Sequence, residues 1–297
     1  MRKLVILLAG VTFFLQACAP PEKEHTVHER HNYIILLDLS DRLIKQPDQV
    51  ERDKALIKEI YSLFEEQVRK ELYIRSKDAI KVVLAHQEGS PVKPLVAEEK
   101  LFINMENIHI KDRKKLENER RTQFFAALNE LYEKAHFSAA RNDYKGADIG
   151  KYFEDDIRRD LVGGEEVINY VFLLTDGYMY VEGKQSGLGG WRPVNRSFEN
   201  LSVMLLETDP INRDGEWDKM QHSWLNWFSR MGVRNVVVEK RTAMSKVNEL
   251  MKKFVENGNE QIGYNLPLDE YNSPRSSKVN INAAKDQGDQ EKKNNIQ

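Results

Sequence analysis

At 297 residues, 40% of them hydrophobic and 31% charged, the chain can bury one substantial core and at most a small appendage beside it. With 45 basic against 47 acidic residues, a formal net charge of −2, it lacks the positive excess that holds a phosphate backbone, so no nucleic acid is expected as a partner. A single cysteine excludes an intrachain disulfide and leaves stability to packing and hydrogen bonding.

In chain order, Arg2 and Lys3 come first, then an apolar run from Leu4 to Leu15 that is too short to span a bilayer as a mature helix. Charge, apolar run and small residue in that order make an export signal. The following Leu15-Gln16-Ala17-Cys18 resembles the lipobox of bacterial lipoproteins. The resemblance implies that residues 1–17 are a signal peptide cut before Cys18. It further implies a diacylglycerol thioether on the Cys18 sulfur and acylation, of the palmitate kind, at the new amino group. At roughly 0.8 kcal/mol per buried CH₂, two or three such chains anchor a protein firmly. Loss of Arg2 and Lys3 moves the net charge from −2 to −4. The expected location is the cell envelope, outside the cytoplasm. Ala19, where an aspartate would be the contrasting choice, resembles proteins sorted to the outer rather than the inner membrane. The competing reading, an ordinary signal peptide with a cysteine at its cleavage site, would leave a lone thiol in an oxidising compartment.

Residues 18–32 are polar and proline-tipped, which reads as a lipidated tether. They hold His25, His28 and His31 at three-residue spacing, but a linker offers no surrounding groups to orient imidazoles around a metal. A domain is expected over residues 33–258, and a polar, disordered tail over 259–297, where almost nothing can be buried.

Within the domain, strand and helix signals alternate. Tyr33–Asp38 is a continuous apolar run ending in an acid, as in a strand buried on both faces. Residues 48–72 put Val50, Leu56, Ile57, Ile60, Leu63, Phe64, Val68 and Leu72 on one helix face. Ile80–Leu84 predicts a second strand, residues 113–135 a charged helix, and 147–161 a shorter one. Strands follow at Tyr170–Leu174 and Leu201–Leu206. Trp217, Met220, Trp224, Trp227, Phe228 and Met231 then recur at helical spacing, which predicts a core-facing stripe. Val233–Glu239 and Met244–Val255 close the domain as strand and helix. The sum is an α/β fold, a doubly wound and mostly parallel sheet with helices on both faces.

Ligands of such sheets bind outside the carboxyl ends of the strands. Two buried strands end there in aspartates, in Ile34-Ile35-Leu36-Leu37-Asp38-Leu39-Ser40-Asp41-Arg42 and in Phe172-Leu173-Leu174-Thr175-Asp176-Gly177. With these residues, and with the Lys145-Gly146-Ala147-Asp148-Ile149-Gly150 loop between them, the chain resembles the von Willebrand factor A (VWA) family. The adhesion site of that family reads D-x-S-x-S, with a threonine from a later loop and an aspartate in a T-D-G context. Asp38, Ser40 and Asp176 match, which implies a hard divalent cation, Mg²⁺ or Mn²⁺, held by oxygen ligands. Arg42 stands where the family has its second serine, and Ala147 where it has the threonine. Either Asp41 or Asp148 compensates as a neighbouring carboxylate, or Arg42 pairs with Asp176 or Asp148 and takes the space of the ion.

Residues 178–197 are too long and glycine-rich for an ordinary connection. With Arg42, the side chains of Tyr178, Tyr180, Trp191 and Arg192 form a candidate partner-binding set, being of types enriched at interface hot spots. The alternative is an excursion whose aromatics fold back on the domain. Enzymatic signals are thin. Asp38-Leu39-Ser40 lacks the second carboxylate of a D-x-D phosphatase loop, and there is no G-x-S-x-G, P-loop or H-E-x-x-H motif. The expectation is an envelope lipoprotein that binds a protein partner at the strand ends, not an enzyme. A metal-dependent phosphoesterase built on the same aspartates is the alternative.

Overall fold

The computed structural model describes residues 29–87, 99–140, 146–181, 184–187, 191, 194–209 and 216–257. The signal peptide, Cys18, most of the tether, Arg192, the Tyr180 side chain and the tail at 259–297 lie outside the described residues or atoms. Strand β1 (Arg30–Leu37) leads through a single turn, α1 (Arg42–Lys45), into the long helix α2 (Gln49–Lys70). Then come β2 (Ala79–Leu84), β3 (Phe102–Asn104) and the second long helix, α3 (Arg113–Ala140). Two short turns, α4 (Ile149–Lys151) and α5 (Ile157–Asp160), flank one π-helical turn at Tyr152–Asp156. After β4 (Val167–Leu174), a hairpin of β5 (Met179–Val181) and β6 (Lys184–Gly187) forms a separate two-stranded sheet. The chain continues with β7 (Leu201–Thr208), α6 (Glu216–Arg230), β8 (Asn235–Lys240) and α7 (Met244–Glu256).

The main sheet runs β3-β2-β1-β4-β7-β8, parallel throughout except for the antiparallel pair β2–β3 at one edge. Side chains alternate between its two faces. Tyr33, Ile35, Leu37, Val82, Tyr170, Phe172 and Met204 join one core with Leu56, Ile60 and Phe64 of α2, Phe124 and Leu128 of α3, and Phe254 of α7. The other face carries Ile34, Leu36, Val171, Leu173, Val203 and Leu205, all fully buried. On that side Trp227 and Phe228 of α6 pack against Phe153, and Trp224 packs on both of them. Sandwiching by helices on both faces explains why the central strands read as unbroken apolar runs. Among the described residues, no helix is long and apolar enough to cross a membrane.

Several details differ from the sequence reading: α2 ends at Lys70, so Leu72, expected on its apolar face, lies past the helix and is exposed. β1 starts at Arg30, not Tyr33, so His31 and Asn32 belong to the sheet and are buried. His31 is therefore a strand residue beside Asp78, not part of a tether triad. The segment at 147–161 is not one helix but two short turns around a π turn. β3 is only three residues of an edge strand, too short to leave a periodic signal.

Candidate functional site

Adjacent parallel pairing of β1 with β4, with Leu37 opposite Leu174, brings the two strand exits together. The ladder continues one step further, since the Asp38 N–H donates to the Leu174 carbonyl at 3.0 Å. Asp38 is almost wholly buried, and each carboxylate oxygen has a donor. Oδ1 accepts from the Ser40 N–H at 3.0 Å, and Oδ2 from the Thr175 hydroxyl at 2.8 Å. Thr175 Oγ1 in turn accepts from the Gly177 N–H at 3.2 Å, tying the second exit turn to the first.

That turn needs glycine. Gly177 has φ +93, and a Cβ there would come within 2.2 Å of the Met220 sulfur. Its carbonyl accepts from the Trp224 indole at 2.9 Å, so the T-D-G turn sits directly on α6. Asp176 projects from this turn with 16% of its side chain exposed. Its Oδ1 accepts from the Tyr178 N–H at 3.1 Å, and Lys45 Nζ stands 4.0 Å from Oδ2. Burial first, and then the negative charge of Asp38, push the Asp176 carboxyl up to about 7, against the opposing pull of the Tyr178 N–H, Arg42 and Lys45.

Arg42 does not enter the site. Its side chain is buried and turns towards α2, where Nη1 and Nη2 donate to the two oxygens of Asp53 at 3.2 and 2.6 Å. Nε donates to the Asp38 carbonyl at 2.6 Å. Asp53 also accepts from Gln49 at 2.9 Å and Tyr132 at 3.0 Å. Burial pushes the Asp53 carboxyl up while these donors pull it down. Burial likewise works against the Arg42 charge, but Asp53 and Asp38 outweigh it and hold the guanidinium protonated. Four donated hydrogen bonds on one carboxyl are the geometry of an ionised pair. The expected pairing of Arg42 with Asp176 or Asp148 is thus corrected: a deeper acid has captured the cation. Being buried and fully engaged, Arg42 is also not a partner-binding residue.

The remaining candidates separate. Asp148 spends its carboxylate capping α4, accepting from the Lys151 N–H at 2.9 Å, and its own N–H donates to the His86 carbonyl at 2.8 Å. Asp41, about half exposed, pairs with Lys45 at 3.1 Å. Neither shares a hydrogen bond with Asp38 or Asp176 among those described. Tyr178 donates to Glu216 at 3.2 Å, and the Trp191 ring packs 4.6 Å from that of Trp224. Both aromatics touch α6 and remain partly exposed.

A third acidic exit lies beside the first two. β7 pairs with β4, the Asp209 N–H donates to the Asp176 carbonyl at 3.2 Å, and Gln46 of the α1–α2 turn hydrogen-bonds the Asp209 carboxylate. Glu207, with φ +66, accepts from Arg52 at 2.8 and 2.6 Å and from Arg241 at 2.9 Å. The sequence pattern points to the Thr175 hydroxyl beside the two carboxylates but not to Asp53 or Glu207. A signal existed for Asp53, an acid inside the apolar stripe between Val50 and Leu56.

Comparison with protein-family models and with curated proteins finds no match for this chain.

The donor set at the exits can now be weighed against a metal. Among the described residues, no three or more His, Cys, Asp or Glu side chains gather closely enough to hold one on their own. Asp38, Ser40 and Asp176 do sit at adjacent exits, and carboxylates and hydroxyls are hard oxygen donors of the type Mg²⁺ or Mn²⁺ prefers. The Asp176 carboxyl is displaced upward first by its burial, and the negative charge of Asp38 adds to it. Lys45 is too distant and too exposed to offset the shift. The residues present fit a divalent cation.

Proposed function

We propose that the chain is a cell-envelope lipoprotein, anchored outside the cytoplasm through Cys18, whose VWA-like domain binds a protein partner at the carboxyl edge of its sheet. Asp38, Ser40 and Asp176 are the residues that would hold Mg²⁺ or Mn²⁺ there. Such an ion would neutralise the crowded acids and offer an open coordination position to a carboxylate of the partner. The observation that carries the reading is the parallel pairing of β1 with β4, which sets the Asp38 and Asp176 exits side by side at a rim where Asp176 is still partly open to solvent. The strand order, with one antiparallel edge pair, and the withdrawal of Arg42 onto Asp53 support it as well.

The test uses the chain from Ala19 onward. This start keeps Arg30–Asn32 in β1, which a fragment cut at Tyr33 would lose. Millimolar Mg²⁺ or Mn²⁺ raises its Tm, and Asp38→Ala abolishes the rise. A flat thermal response removes the cation from the proposal. Turnover of a phosphoester substrate that is lost in Asp38→Asn would replace binding by catalysis.

A further inference from the structure

At the opposite end of the sheet, where the chain enters β1, three large aliphatic side chains lie open to solvent. Leu72 is 72% exposed, Ile74 58% and Ile110 54%. Leu72 and Tyr73 both have positive φ, 53 and 60, a costly conformation for non-glycine residues that turns Leu72 outward just after α2. Arg113 stitches the two segments into one surface. Its Nη1 donates to the carbonyls of Tyr73, Ile74 and Ser76 at 3.0, 2.7 and 2.8 Å, and its Nε to that of Ile108 at 3.0 Å. The same turn is fixed to the start of β1, because the His31 N–H donates to Asp78 at 2.8 Å.

The rim of this aliphatic patch is basic. The segment before β2 holds Arg69, Lys70, Arg75 and Lys77 against Glu71 and the buried Asp78, and the segment leading into α3 holds Lys111, Lys114 and Lys115 against Asp112; Arg69, Lys70 and Lys115 are paired with Glu65, Glu66 and Glu119, which leaves the lysines at 77, 111 and 114 as the rim charges the argument uses. Lys77, Lys111 and Lys114 are exposed. A chain that is acidic overall therefore concentrates positive charge around its exposed aliphatics. Across the entry point, the start of β4 carries exposed Glu165 and Glu166, so the basic surface is confined to the β2 and β3 side.

We propose that this surface docks on the anionic lipid surface to which the chain is tethered. The inference rests on the lipid-anchor reading of Cys18. Ten residues lie between Cys18 and Glu29, and the eleven Cα steps reach at most roughly 36–40 Å fully extended, so the entry end of the domain stays within that distance of the headgroups. Aliphatic insertion combined with lysines against anionic headgroups is the chemistry of interfacial binding. Docking by this end leans the domain towards its β2 and β3 edge, keeps Glu165 and Glu166 off the headgroups, and points the Asp38 and Asp176 rim away from the bilayer.

The test uses the full chain, processed and lipidated in a bacterial host and reconstituted into phosphatidylcholine vesicles containing phosphatidylglycerol and a brominated lipid. Lipidation blocks Cys18, the native cysteine, so Ile110→Cys supplies a single thiol for a fluorophore, and Ile44→Cys supplies a control at the far rim. Mass spectrometry of each preparation reports whether Cys18 carries lipid. The label at position 110 is expected to be quenched roughly two-fold, and the label at 44 not at all. Adding Lys77→Glu and Lys111→Glu is expected to lower the docked fraction about five-fold per residue at low salt. Lipid on Cys18 without quenching at 110, or with equal quenching at both positions, overturns the docking and leaves the anchor standing. Absence of lipid on Cys18 overturns the anchor, and the docking with it.

Discussion

Arg42 and Asp53 are eleven residues apart in sequence and face each other through a two-pronged contact, Nη2 to Oδ2 at 2.6 Å and Nη1 to Oδ1 at 3.2 Å, with both side chains buried. The pair holds the Asp38 exit loop against α2 and takes the loop's one buried cation away from the acidic rim. Its position explains how an arginine can occupy a site-motif position without filling the site.

Truncating Arg42 strands a buried carboxylate. Arg42→Ala should cost about 3–5 kcal/mol, and Asp53→Ala a similar amount. Arg42→Met combined with Asp53→Leu should recover most of that loss, because removing both charges removes the unpaired partner. Urea unfolding midpoints of the four proteins decide it, and additive losses would show that the two side chains act independently.

Asp176 makes stability depend on pH in a direction opposite to that of an ordinary salt-bridged acid. Its carboxyl titrates near 7 in the folded chain against an ordinary 3.8, so the fold binds this proton more tightly than the unfolded chain does. The contribution is complete below about pH 4 and is lost as the pH rises through 7. In metal-free buffer, Asp176→Asn should therefore raise stability at pH 8 by at most about 4 kcal/mol and have little effect at pH 4. Melting curves across that range measure the difference. Equal effects at both pH values would mean that the acid is not displaced.

Gly177 tolerates no side chain. With φ +93 and the Met220 sulfur 2.2 Å from a Cβ, Gly177→Ala should cost about 2–4 kcal/mol. Adding Met220→Ala removes the collision but not the backbone strain, so calorimetry should find the Gly177→Ala cost reduced in that background and still present. Full recovery would put the whole cost on the collision.

Glu207 combines a strained backbone, φ +66, with a carboxylate held by Arg52 and Arg241. Both Glu207→Ala and Glu207→Gly lose the carboxylate, but only glycine relieves the strain. Glu207→Gly should therefore be about 1 kcal/mol less destabilising than Glu207→Ala in chemical denaturation. The reverse order would place the strain elsewhere.

The long helices and the four central strands could be read from the chain because burial on two faces, or along one stripe, imposes periodicity on every residue of an element. β3 and the broken turns between Ile149 and Asp160 could not, since three or four residues carry no period. The meeting of Asp38 with Asp176 was legible from their matching places at strand ends. The partner of Arg42 was not, although an acid within the stripe of α2 hinted that something had to neutralise it. The Thr175 hydroxyl was legible as a neighbour of the two carboxylates, and its donation to Asp38 is the form that nearness takes.

Composition and hydrophobic patterning were enough to require a helix-covered parallel sheet, since a chain with these runs has no other way to bury them. Which exits became neighbours, where each guanidinium went and which aliphatics stayed outside depended on strand order and helix packing. Those are outcomes of contacts between residues up to 193 positions apart, such as Arg241 with Asp48, and no local stretch of sequence encodes them.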